Sequence, residues 1–183
     1  MSPGDAIIDA CSLLNLLATR READFLEAIH VRLLVAPEVR AEAVCLHGPP
    51  SEAGDPTREL VDLLPLESAG LIHVVRIGDA TADAFIAAAE ELADNDAASV
   101  ALAATLRVPL ITDDGKERRI CSRLFPHVEL VSTLALVRQA TETLGLSREA
   151  MRVLLRGLRL RGNFEPPRSD LHREWFWDLH GRD

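Results

Sequence analysis

A chain of 183 residues with 48% hydrophobic and 27% charged side chains has the make-up of an ordinary globular domain, long enough to bury a core without disulfide or metal staples. Its formal net charge of -9, from 20 basic and 29 acidic residues, excludes a generally basic nucleic-acid coat while leaving room for a local basic site. Lys116 is the only lysine, and residues 148–183 hold eight arginines against six acids, so the acidity lies in the first 147 residues.

In chain order, residues 5–9 (Asp-Ala-Ile-Ile-Asp) form a short apolar run ending in an acid. Leu13, Leu14, Leu16 and Leu17 follow at helical spacing, so a strand with Asp9 at its carboxyl end leads into a helix. Residues 22–30 continue as a helix with Phe25, Leu26 and Ile29 on one face. Residues 31–36 read as a strand closed by Pro37, and residues 38–46 as a helix starting just after that proline. Residues 47–56 are a loop by their Gly and Pro content, and residues 57–64 a short helix. A strand is expected over 71–77, then Ala-rich helices over 79–92 and 96–106. Another strand spans 108–112, running into Asp113-Asp114-Gly115. A helix over 116–124, a strand over 128–131 and helices to about Arg161, broken at Gly145, complete the pattern. Strands alternating with helices predict an α/β fold with a mainly parallel sheet.

Cys11, Cys45 and Cys121 are odd in number and far apart, which fits reduced, buried thiols rather than a disulfide framework or a metal pair. No basic segment precedes an apolar one at the N-terminus, and no apolar run approaches the ~20 residues a membrane span needs. The expected location is the cytoplasm. The tail carries Trp175, Phe176 and Trp177 in succession after a proline-broken stretch. Aromatics in that position most often pack on the body of the protein or on a partner chain.

The acids carry the functional signal. Ligands of parallel α/β sheets collect at the carboxyl ends of the strands, near the point where strand order reverses. Asp9 ends the first strand, and Asp113 and Asp114 follow the strand over 108–112. Glu42 lies one turn into the helix after the second strand, and Asp96 opens the helix before the 108–112 strand. Asp96 and Asp114 also suit helix N-caps, a purely structural role. Two carboxylates ~4 Å apart repel by ~4 kcal/mol at an effective dielectric of ~20, so a cluster of them calls for protons or a cation. An all-oxygen cage suits Mg²⁺ or Mn²⁺ rather than Zn²⁺. Such an ion activates water and stabilises charge on a phosphoryl group, the chemistry of phosphodiester hydrolysis.

Four segments, Ile-Ile-Asp-Ala-Cys-Ser-Leu-Leu-Asn-Leu (7–16), Pro-Glu-Val-Arg-Ala-Glu (37–42), Asp-Ala-Ala-Ser-Val-Ala-Leu-Ala (96–103) and Leu-Ile-Thr-Asp-Asp-Gly-Lys-Glu-Arg-Arg (110–119), resemble the PIN-domain family of small metal-dependent ribonucleases. They occur in the family's order across roughly residues 5–132. The resemblance implies a three-layer α/β/α domain over 1–132 with about five parallel strands, extended by a helical segment and aromatic tail over 133–183. It also implies a Mg²⁺ or Mn²⁺ site and an RNA substrate, single-stranded or structured. Asp9, Glu42, Asp96 and Asp114 match the family's four acids as metal ligands and catalytic residues. Thr112 matches the hydroxyl that orients the first aspartate, with Ser12 and Asp113 as accessory positions. Asp113 beside Asp114 leaves the identity of the fourth acid open. Lys116, Arg118 and Arg119, just after the acids, are candidate RNA contacts, and the arginines of 148–161 offer either a basic track or a solvated face.

Most bacterial members of that family are toxins of toxin–antitoxin pairs, so the resemblance implies an antitoxin partner and a homodimer. Alternatives are an RNA-processing nuclease without an antitoxin and a catalytically inactive binding module of the same fold. A phosphoacceptor signalling domain needs an acid pair at its first strand and a lysine after its last. Here Asp9 stands alone and Lys116 precedes the final strand.

Overall fold

The computed structural model describes residues 4–43, 45–48 and 57–181. The chain begins with β1 (Gly4–Ile8), α1 (Ala10–Ala18), α2 (Glu22–Ala28), β2 (Val31–Val35) and α3 (Pro37–Glu42). A short hairpin follows, β3 (Cys45–His47) and β4 (Arg58–Leu60), then α4 (Leu64–Ser68) and β5 (Ile72–Val74). Helices α5 (Asp79–Ala89) and α6 (Asp94–Leu106) precede β6 (Leu110–Ile111), α7 (Gly115–Leu124) and β7 (Leu130–Val131). Three helices close the chain: α8 (Thr133–Thr143), α9 (Arg148–Gly162) and α10 (Arg173–His180).

Five strands form one parallel sheet in the order β5-β2-β1-β6-β7. Helices flank it, so the expected α/β class holds. The chain builds outward from β1 through β2 to β5, returns to β6 on the other side of β1, and ends at β7. The reversal therefore falls between β1 and β6, where Ile7 pairs with Leu110 and Ile8 with Ile111. Both strands are wholly buried there, as expected for parallel strands covered on two faces. Their next residues, Asp9 and Thr112, emerge side by side at the crevice where such sheets bind ligands.

Two local expectations are corrected. The helix expected over 38–46 stops at Glu42, and Cys45–His47 pairs antiparallel with Arg58–Leu60, a segment expected to be helical. Local preference yields here to cross-strand pairing. The helix starts later, at Leu64, with Pro65 in its first turn and the Asp62 side chain accepting from the Leu64 N–H at 3.0 Å. Of the loop expected over 47–56, His47 ends β3, and everything after Gly48 lies outside the described residues. The strands expected over 71–77, 108–112 and 128–131 keep only their central or final residues.

The C-terminal helices close over α1. Glycines let α9 approach it closely: a Cβ on Gly157 would stand 3.2 Å from the Ala18 carbonyl oxygen, and one on Gly162 would stand 2.9 Å from Asn15 Oδ1. Arg161 donates to the Ala18 carbonyl at 3.0 Å and to Glu59, which also accepts from Arg20. Helix α10 docks on α9. Phe176 is fully buried, edge-on to Phe164 and Trp177 and stacked on His180. The tail aromatics thus pack on the body of their own chain. No described helix is long and apolar enough to cross a membrane.

Candidate functional site

Asp9 is the N-cap of α1. Its extended backbone turns the chain from strand to helix, and Oδ1 accepts the Ser12 N–H at 2.5 Å. It is 3% exposed. Burial raises its pKa, opposed by the Thr112 and Ser12 hydroxyls and the Ser12 N–H. Helix α1 tolerates this acid because an N-cap carboxylate answers both an open N–H and the helix dipole.

Asp114 plays the same part for α7, its Oδ1 accepting the Glu117 N–H at 2.7 Å. The carboxylate is exposed, and its other oxygen makes no protein bond in the described structure. Asp96 lies in the first turn of α6. Its pKa is raised by burial and then by Asp9, Asp114 and Glu42, with Lys116 opposing. Glu42 ends α3 and accepts from the Asn95 side-chain amide. The exposed Cys11 feels the charge of all four acids. Partial desolvation, then Asp9, Glu42, Asp96 and Asp114, push its thiol up to about 11. Cys45 is half-buried and Cys121 buried, so burial of all three thiols is not found.

Asp113 points elsewhere. Oδ1 accepts the Thr133 N–H at the start of α8 at 2.9 Å, and Oδ2 takes a long contact from Asn15 at 3.5 Å. Burial raises its pKa, with further contributions from Asp9 and Asp170. Asp114, not Asp113, shares the neighbourhood of Asp96 and Glu42.

One acid was not singled out in the sequence. Glu117 is fully buried in the first turn of α7, and its Oε2 accepts the Thr112 hydroxyl at 2.6 Å. Burial first, then Asp9, lifts its pKa to about 9, so it carries a proton at neutral pH. Its Oε1 has no hydrogen-bond partner, and neither has the buried Ser12 hydroxyl. The signal was present: Glu117 precedes Ile120, Cys121 and Leu124 at helical spacing, on the stripe that α7 buries. Thr112 thus bonds Glu117 and also lies close enough to Asp9 for its hydroxyl to oppose the rise in that pKa.

The expected RNA contacts divide. Lys116 and Arg119 are exposed. Arg118 is a brace: its guanidinium donates to the carbonyls of Thr112 at 2.8 Å, Val131 at 3.3 Å and Leu130 at 3.5 Å. In α9, Arg148 and Arg152 donate to carbonyls of α10, Arg159 lies 4.9 Å over the Trp177 ring, and Arg161 holds α1. These arginines dock helices, so α9 presents neither a continuous basic track nor a wholly solvated face.

Among the described residues, no group of three or more His, Cys, Asp or Glu side chains stands ready to hold a metal ion. The donor chemistry nonetheless suits a hard cation: carboxylates at a strand switch, with mutual repulsion around Asp96.

No family model and no curated protein matches the chain. Among solved structures, VapBC2 from Rickettsia felis bound to a DNA fragment from its promoter aligns over 70% of this chain and 98% of that one. The identity is 12% and the TM-score 0.42, a likeness that assigns neither family nor activity.

Proposed function

We propose that the protein is a divalent-metal-dependent ribonuclease of the PIN type, the toxin of a toxin–antitoxin pair. The observation that carries the reading is Asp9, buried where strand order reverses, with Glu42 and Asp114 close enough to Asp96 for their charges to raise its pKa together with that of Asp9. The toxin role, the antitoxin and a homodimer rest on the sequence resemblance alone.

Asp9, Asp96 and Asp114 would hold Mg²⁺ or Mn²⁺, and Glu42 completes the set. Bound there, the ion supplies an activated water and a counter-charge for the phosphoryl oxygens. The chain's own contributions are positional. Ser12 N–H and β1 fix Asp9, and α7 fixes Asp114. Thr112 and protonated Glu117 form a neutral floor beneath them. Glu42, exposed at the end of α3, is placed to accept a proton from the attacking water. Lys116 and Arg119 meet the RNA backbone at the rim, offsetting the repulsion an acidic site exerts on phosphates.

One observation favours a second reading, a catalytically inactive RNA- or protein-binding module of the same fold: the acids do not stand in a ready metal cage. Incubating a mixed RNA pool with wild type and Asp9→Asn in Mg²⁺ or Mn²⁺ separates the two. Cleavage by wild type that disappears in the variant and on chelation is expected. Equal cleavage by both proteins means a contaminating nuclease, and no cleavage by either supports the inactive module.

A further inference from the structure

A cavity of about 320 Å³ opens beside the candidate centre, between β7, the start of α8 and the segment 167–172 of the C-terminal extension. Its lining includes Asp113 and Gly115, the chain neighbours of Asp114 on either side, so it adjoins the candidate centre. Its lining carries three carboxylates, Asp113, Glu129 and Asp170, and a single arginine, Arg118; Asp113 is already engaged by Thr133 and Asn15, which leaves Glu129 and Asp170 for a guest. Three bonds to backbone carbonyls fix the Arg118 guanidinium. A guanidinium has five N–H groups, so two remain for a guest. Asp170 uses Oδ1 for the His172 N–H and keeps Oδ2. A phosphate is repelled by this lining. A neutral planar group offering amino hydrogens to carboxylates and one acceptor to the arginine is favoured. An unpaired nucleobase has that chemistry and a size the cavity accepts. Adenine, cytosine and guanine carry an exocyclic amino group; uracil carries none.

We propose that this cavity is a base subsite, built by the C-terminal extension, that takes one unpaired nucleobase next to the scissile phosphate and prefers amino-bearing bases to uracil. The proposal rests on the ribonuclease reading for its substrate class. The preference itself comes from the lining, and ligand binding can be measured without cleavage.

The test uses the full chain in EDTA and fluorescently labelled RNA hexamers that differ at one internal position within an otherwise uridine strand. Fluorescence anisotropy should show wild type binding the A, C or G hexamer about tenfold more tightly than the all-uridine one, the scale of one added hydrogen bond to a charged group. Ala135→Trp, at a position lining the cavity, should erase the difference by filling the space. Asp170→Asn, which keeps the oxygen that caps His172, should reduce it even if the tryptophan variant misfolds. Equal affinity for all four hexamers overturns the subsite, as does a preference that survives both substitutions. Loss of a co-purifying protein from Ala135→Trp, with RNA affinity unchanged, overturns it in favour of a peptide guest. If cleavage is absent but the preference is present, the ribonuclease reading fails and the subsite stands.

Discussion

The Thr112 hydroxyl gives its proton to Glu117 Oε2 at 2.6 Å, with both residues wholly buried. Thr112 ends a strand at the switch point and Glu117 opens the following helix, so one bond ties sheet to helix beneath the acidic crevice. A carboxyl that charges near pH 4.5 in the unfolded chain and near 9 in the fold has consequences for stability.

The folded state holds this proton more tightly than the unfolded state. Its contribution is fully present below about pH 4.5 and is lost as pH rises towards about 9. Glu117→Gln should therefore gain stability relative to wild type as pH rises. Urea unfolding in EDTA at pH 5, 7 and 8.5 checks this. A difference between the two proteins that does not change with pH would contradict it.

Relief of repulsion should be visible at Asp9 and Asp96. Asp9→Asn keeps an N-cap that accepts the Ser12 N–H, and both variants remove a charge from a crowded field. Without divalent ions, each should melt at least ~2 °C higher than wild type, a shift of order 1 kcal/mol or less for a chain of this size. With Mn²⁺ the wild type should rise and the variants should not. A fall in melting temperature for both variants without metal would mean that the carboxylates' own local contacts outweigh their mutual repulsion.

Cys11 reads the same field chemically. Its thiol, up at about 11, should react slowly with a disulfide reagent at pH 8, because the thiolate is the nucleophile. Mn²⁺ or Asp96→Asn should accelerate the reaction several-fold, while Cys121, buried, stays silent. A rate indifferent to both changes would separate Cys11 from the acids.

The close approach of α9 and α1 should be intolerant of side chains. Gly157→Ala in a free helix would add up to ~1 kcal/mol. Here the Cβ meets a backbone oxygen at 3.2 Å, and Gly157→Leu should cost about 1–3 kcal/mol through overpacking. Phe176→Ala, which empties the α10 pocket, should cost about 3–5 kcal/mol. Chemical denaturation measures both, and a stabilised Gly157→Leu would show that the helices are not in contact.

The two central strands were legible as apolar runs with acids just beyond them, Asp9 after β1 and the Asp113-Asp114 pair after β6. Asp114 was legible as a helix start, whereas α6 begins at Asp94, two residues before Asp96, with Ala93 as its N-cap. The hairpin of β3 and β4 was not legible, because three-residue strands gain their identity only from a distant partner. The choice between Asp113 and Asp114 needed Thr133, twenty residues on. Glu117 was missed because a charged residue on an apolar stripe reads as a solvated position until its burial is known. The roles of Arg118 and the α9 arginines were hidden for a related reason: backbone carbonyls that accept from them have no signature in sequence.

Gly162 leaves room for Asn15, which in turn reaches Asp113. Arg161 beside it clasps the carbonyl of Ala18, 143 positions earlier in the chain. The first helix therefore waits for the ninth. During translation α1 leaves the ribosome long before α9 has been synthesised, so the contacts of Asn15 and Ala18 with that helix form only once residues 148–162 have followed.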